Sequence, residues 1–229
     1  MREIVFDTET TGLDPATGDR LVEIGGVELI NLMPTGRSYH CYINPERDVP
    51  AEAFAVHGLS AAFLSDKPLF RAVAAEFLDF IGDARLVIHN AAFDMKFINA
   101  ELGWIDHPSI AWARAVDTLD IARRRFPGAQ NSLDALCRRF GIDNSGRTKH
   151  GALLDAELLA EVYLELMGGR QQGLSLSGVA TSSDGAAAAG PWTPPPRPRP
   201  LPPRITPAEA EAHARFIESL GEGALWARG

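Results

Sequence analysis

Cysteine is scarce in this 229-residue chain. Cys41 and Cys137 lie far apart and lack metal-ligand spacing, so a disulfide scaffold and a thiolate metal centre are both excluded. Two reduced thiols in a cytoplasmic protein are expected instead. Long apolar runs are missing too: nothing approaches the ~20 residues that span a bilayer. No basic segment followed by an apolar one precedes the first strand, so no signal peptide is expected. Net positive charge is absent as well, the formal charge being -8. Phosphate neutralisation supplies most non-specific affinity for nucleic acid, so a chain of this charge is a poor match to a protein that grips a polyanion unaided.

What is present is a core and an uneven charge distribution. Hydrophobic residues make up 45% of the chain, and a domain of about 170 residues buries roughly 70% of its unfolded surface. Seven basic residues (Arg123, Arg124, Arg125, Arg138, Arg139, Arg147 and Lys149) face only Asp134 and Asp143 between positions 123 and 149. Such a cluster reads either as a local basic wall that steers a polyanion or as solvated helix surface.

The first stretch organises the rest. Ile4-Val5-Phe6 reads as a buried strand ended by the turn residues Thr11-Gly12 and Asp14-Pro15. Residues two apart on a strand share a side, so Asp7 and Glu9 present two carboxylates together. Burying them unpaired is costly, and a hard divalent cation with oxygen ligands is the natural counter-charge. Arg20–Leu32 and Arg37–Ile43 then read as a β-hairpin. Helices are expected over 50–57, 68–81, 92–102, 132–140 and 152–167, with strands at 85–89 and 115–119. Strands first and then alternating elements indicate an α/β domain on a mixed sheet, ending near Gly168-Gly169.

Composition changes beyond it. Residues 171–190 are rich in Gly, Ser and Ala, and 191–203 hold eight prolines, a linker that is flexible and then stiff. Thr206-Pro207-Ala208-Glu209 is a capping-box pattern, and Ala212, Phe216, Ile217 and Leu220 continue an apolar stripe with Trp226 beyond. A helix of about fifteen residues is marginal alone. The expected organisation is a domain over 1–170, a linker over 171–205 and a docking segment over 206–229.

Two more segments carry chemistry. In His89-Asn90-Ala91-Ala92-Phe93-Asp94 a strand runs into a helix, with Asp94 in its first turn. In Lys149-His150-Gly151-Ala152-Leu153-Leu154-Asp155 the aspartate shares the apolar stripe of Leu159, Val162 and Leu166, where a carboxylate needs a partner. His150 falls on the loop entering that helix, placed to swing over the site.

Asp7-x-Glu9, Asp94 and His150 followed by Asp155 resemble the three signature segments of the DnaQ-like (DEDD) 3′–5′ exonucleases, in the subgroup with a histidine. FDTETTG, VHGL, HNAAFD and KHGALLDAELLA resemble in particular the proofreading branch of that family, which serves bacterial DNA polymerase III. The likeness spans about residues 1–170. It implies a ribonuclease H-like fold and two divalent ions, Mg²⁺ or Mn²⁺, on Asp7, Glu9, Asp94 and Asp155. It further implies His150 as general base, and Glu52 and His57 against the terminal nucleotide at the DNA 3′ end. The catalytic (alpha) subunit of the polymerase is the partner implied for 206–229, which would place the chain at the replisome on the nucleoid. Gln172–Leu176 reads either as a sliding-clamp-binding peptide or as simple linker. Two alternatives compete: a stand-alone RNase or oligoribonuclease with the same catalytic set, and an inactive nuclease fold used as a binding module.

Overall fold

The computed structural model describes residues 1–147, 149–169 and 205–220. The chain divides into two compact units, Met1–Leu176 and Ser177–Gly229. The first is built on a five-stranded mixed sheet of order β3-β2-β1-β4-β5. β1 (Arg2–Thr10) is its central strand, flanked by antiparallel β2 (Leu21–Ile30) and parallel β4 (Arg85–Ile88). β3 (Met33–Tyr42) and β5 (Ala115–Asp117) form the edges. Helices α1 (Ala51–His57), α2 (Ala61–Leu64), α3 (Phe70–Ile81), α4 (Ala91–Gly103), α5 (Thr118–Arg125), α6 (Leu133–Phe140) and α7 (Ala152–Leu166) complete this unit.

A central strand covered on both faces must be apolar on both, and β1 is so over Ile4-Val5-Phe6. Ile4 and Phe6 enter a cluster with Phe70 and Phe77 of α3 and Phe97 and Ile98 of α4. Val5 points the other way, into a cluster with Leu136 of α6 and Leu159, Val162 and Tyr163 of α7. Each large side chain buried in this way is worth about 1.5–3 kcal/mol.

The sequence places the hairpin turn too late. Asn31 and Leu32 both take positive φ (52° and 68°), the paired left-handed conformation of a tight two-residue hairpin. β3 therefore begins at Met33, four residues before Arg37, and runs through Pro34, which an edge strand tolerates. The one-turn helix α2 and a 3₁₀ turn at Trp112–Arg114 have no periodicity long enough to read from sequence.

In the second unit, α8 (Pro207–Ser219) starts with the expected capping box. Thr206 Oγ1 accepts from the Glu209 N–H at 3.3 Å and Glu209 Oε2 accepts from the Thr206 N–H at 2.8 Å. Most of the linker, the Gln172–Leu176 peptide and Trp226 lie outside the described residues.

Candidate active site

β1 carries Asp7 and Glu9 on the side that faces α7, opposite Gly25 and Glu23 of β2. The parallel pair Val5↔Val87 sets the end of β4 beside them. There the chain turns at Asn90, in the left-handed region at φ 67°, and enters α4. Asp117 at the end of β5 fixes that turn, accepting from the N–H groups of Asn90 and Ala91 at 3.1 Å each and of Leu119 at 2.9 Å. Asp94 thus arrives in the first turn of α4, where Thr8 Oγ1 donates to its Oδ1 at 2.6 Å.

Asp155 comes from the opposite wall, and Gly25 brings it close. A Cβ on Gly25 would lie 2.1 Å from the Leu153 nitrogen and 2.3 Å from Ala152 C and Leu153 Cα. Only glycine lets the first turn of α7 rest on β2 at the row of Asp7. Asp155, 2% exposed, is then forked by a residue not expected here: Arg147 Nε donates to Oδ1 at 2.5 Å and Nη2 to Oδ2 at 2.6 Å. Arg147 Nη1 also donates to Asp134 Oδ1 of α6 at 2.8 Å. His150, half-exposed, sets Nδ1 3.4 Å from Asp155 Oδ2.

These groups line one cleft of about 820 Å³, together with His89, Asn90, Phe93, Arg123 and Asn131. Burial first, then Asp94, Glu9 and Asp155, push the Asp7 carboxyl well above its ordinary range, with Arg147 pulling the other way. Burial carries Glu9 up to about 8, helped by Asp155, Glu23 and Asp94. Burial also carries Asp94 up to about 7 against the Thr8 hydrogen bond. Asp155 goes the other way. Burial would raise it, but the Arg147 hydrogen bonds bring it below the usual value.

Four carboxylates share this cleft, three of them resisting ionisation chiefly because they are buried, and one guanidinium committed to Asp155 does not supply the positive charge they lack. That is the donor chemistry of a hard divalent cation, which takes oxygen ligands. Ligand atoms of Glu9, His150 and Asp155 already lie within 4.8 Å of one another. The residues present fit the metal.

The structure thus brings five expected residues, Asp7, Glu9, Asp94, His150 and Asp155, to one cleft. It does not bring Glu52 there: the side chain is exposed on α1, outside the lining. His57 also lies outside the lining, buried at the end of α1. Its Nδ1 accepts from the Leu59 N–H at 3.0 Å and its Nε2 has no partner among the described residues.

The basic cluster of 123–149 divides between several roles. Arg147 points inward at carboxylates, and Arg125 donates to the backbone carbonyls of Glu165 and Leu166. Arg139 lies 4.4 Å over the Phe126 ring, and Lys149 Nζ donates to the Ala55 carbonyl at 2.6 Å. Of the seven, Arg123 and Arg147 line the cleft; these other contacts brace the fold. The sequence signal for Arg147 was its place three residues before His150, after the turn-forming Asn144-Ser145-Gly146.

A family model described as Exonuclease (RNase_T) matches residues 4–163. A Rickettsia conorii protein named DNA polymerase III subunit epsilon is 58% identical over 179 residues, 77% of this chain and 78% of that one. The Escherichia coli K12 protein of the same name is 52% identical over 176 residues, 74% and 72% of the two chains. Among solved structures, Exonuclease X in complex with 5′ overhanging duplex DNA matches with a TM-score of 0.59 at 26% identity, over 72% of this chain and 91% of that one. The nuclease domain of 3′hExo, a DEDDh family member bound to rAMP, shares the fold with a TM-score of 0.63 at 17% identity, again over 72% and 91%. A match over residues 4–163 takes in every carboxylate of the cleft, and on that footing the chain belongs to the RNase_T exonuclease family.

Proposed function

We propose that the cleft of this metal-dependent 3′–5′ exonuclease hydrolyses the 3′-terminal phosphodiester of DNA. The chain would act as the proofreading nuclease of a bacterial replicative polymerase, as the names of relatives at 50–58% identity support. The observation that carries the chemistry is the convergence of Asp7, Glu9, Asp94 and Asp155 with His150 at one cleft.

Two Mg²⁺ or Mn²⁺ ions held by those four carboxylates would supply Lewis-acid stabilisation of the attacking and leaving oxygens in an in-line displacement. The carboxylates themselves fix the position of that charge, and Gly25 fixes the separation of the walls that carry them. His150 accepts the proton of the attacking water. Imidazole suits that task because a neutral ring offers a nitrogen lone pair to a proton. The P–O3′ bond breaks, releasing a 5′-mononucleotide and leaving a new 3′-hydroxyl on the strand. His57, with Nε2 unpartnered at the end of α1, and Glu52 on the same helix are assigned to the terminal nucleotide.

Partner contacts follow from the second unit. α8 offers Phe216 and Leu220, 59% and 43% exposed, as anchors for the polymerase catalytic subunit. The tether before it raises the local concentration of the nuclease at a primer end. Gln172–Leu176 is at most a weak candidate for the sliding clamp, and residence at the replisome would follow from these contacts.

The test compares the full chain with one ending at residue 169. Both should release 5′-mononucleotides from a single-stranded oligonucleotide with Mg²⁺ and stop in EDTA, while only the full chain binds the polymerase. Activity that persists in EDTA would refute the chemistry. Polymerase binding by the short chain at full affinity would refute the docking segment.

A further inference from the structure

We propose that Arg147 is a built-in counter-cation for Asp155, one that holds His150 in a resting state and yields when a divalent ion is bound. The proposal deepens the reading of the site above and rests on it.

The Arg147 side chain is 7% exposed and ties three groups from three segments. Its fork takes both oxygens of Asp155 at 2.5 and 2.6 Å, Nη1 reaches Asp134 at 2.8 Å, and Nη2 lies 2.8 Å from His150 Nδ1. A guanidinium keeps its protons at any working pH and has only donors. His150 Nδ1 must therefore accept, which makes the ring neutral with its hydrogen on Nε2. The 3.4 Å approach of Nδ1 to Asp155 Oδ2 would suit the opposite tautomer. The shorter contact decides, because a hydrogen on Nδ1 would point at a guanidinium hydrogen.

A base must offer a free lone pair to the proton it takes. In this arrangement the lone pair of Nδ1 is engaged by Arg147, and Nε2 already carries a hydrogen. The site is folded yet at rest. Asp155 is committed in the same way, since both its oxygens are occupied by the fork. A second positive centre on Asp155 would repel the guanidinium strongly, because screening is weak in so buried a place. Asp134 offers an alternative: its side chain is 42% exposed, lines the same cleft and already holds Nη1. With the ion bound, Arg147 leaves Asp155 for Asp134 and frees Nδ1. Arg147 acts through Asp155 and His150 and is a positioning residue rather than a catalytic one.

Two measurements on the full chain without DNA test this. Mn²⁺ titrated into Arg147→Gln should bind tighter than to the unaltered chain by roughly tenfold, the scale of one displaced charge-assisted hydrogen bond. Unchanged or weaker binding would overturn the proposal, because a residue that merely holds Asp155 in place loses affinity when removed. If the variant does not fold, ¹⁵N spectra of the histidine rings in the unaltered chain decide the matter. Without metal, His150 should show hydrogen on Nε2 and a hydrogen-bonded Nδ1, and saturating Mg²⁺ should release Nδ1. A His150 spectrum that is the same with and without Mg²⁺ would equally overturn the proposal.

Discussion

Asp94 opens α4 and Asp155 opens α7, each in a first helical turn and each 2% exposed. Burial raises the cost of ionising both. On the α4 side the side-chain donor is a neutral hydroxyl, Thr8, and the carboxyl is still carried up to about 7. On the α7 side the donor is a guanidinium, and the carboxyl drops below its ordinary value. The two side chains thus hold their protons differently because one meets a cation and the other a dipole, with deeper burial adding to the difference on the α4 side. The cleft has one electrostatically satisfied wall and one that waits for metal.

The largest expected effect should break the symmetry of the two walls. Asp94→Asn and Asp155→Asn should each lower hydrolysis beyond about 10⁴-fold, since several kcal/mol of charge stabilisation are lost in either case. Metal-free melting should separate them. Asp94→Asn relieves a strained carboxyl and should melt higher. Asp155→Asn leaves the guanidinium with Asp134 as its carboxylate partner and should lose about 1.5–3 kcal/mol, the scale of a charge-assisted hydrogen bond. Shifts of the same sign in EDTA would dissolve the distinction between the walls.

Next in size is His150→Ala, which removes the proposed base from the α7 wall alone. A fall in kcat of about 10²–10⁴-fold is expected on a single-stranded oligonucleotide. A variant within a few-fold of the unaltered rate would place the base on the other wall.

The third effect is one of pH. Asp7, Glu9 and Asp94 hold protons more tightly folded than unfolded, so the folded chain binds more protons from about pH 3.9, the unfolded aspartate value, through about 7 for Asp94 and about 8 for Glu9. Their contribution is full below that window and is lost as pH rises through it. Asp155 has the opposite sign and acts in a more acidic range. The metal-free chain should therefore melt lower at pH 8 than at pH 5, and Mg²⁺ should close the gap. Stability in EDTA that rises steadily over this range would show that the unsatisfied wall is already compensated.

The smallest effect is Thr8→Val, which keeps the shape and deletes the dipole. A loss of about 1–2 kcal/mol in EDTA at pH 8 is expected, measured by urea denaturation, with Asp155 behaviour unchanged. A neutral result would mean that the hydroxyl does little for Asp94.

Much of this arrangement was readable beforehand, and particular residues show why. Asp7 and Glu9 follow from strand alternation, and Asp155 from its place on an apolar helix stripe. Asp7, Glu9 and Asp155 rest on a local period, which a sequence displays directly. Asp94 rests on none: an aspartate in a first helical turn is common for dipole reasons alone, and the family resemblance singled it out. Arg147 belongs to no period: its inward turn depends on α6, α7 and the intervening loop meeting in space, so in sequence it joins the surface arginines. Gly25 is hidden for a similar reason, since only the approach of α7 from 127 residues away reveals that a side chain there is impossible. The hairpin turn was misplaced because Asn31-Leu32 lacks the glycine that usually marks it.

Gly25 also bears on heredity. Asp7 and Asp155 stand where they do because a methyl group is missing between the β2 backbone and the first turn of α7. A cell carrying Gly25→Ala would encode all the acidic groups of the cleft and still hold them at the wrong separation. The lesion would be invisible in a catalogue of catalytic positions and would register as errors accumulating in the genome.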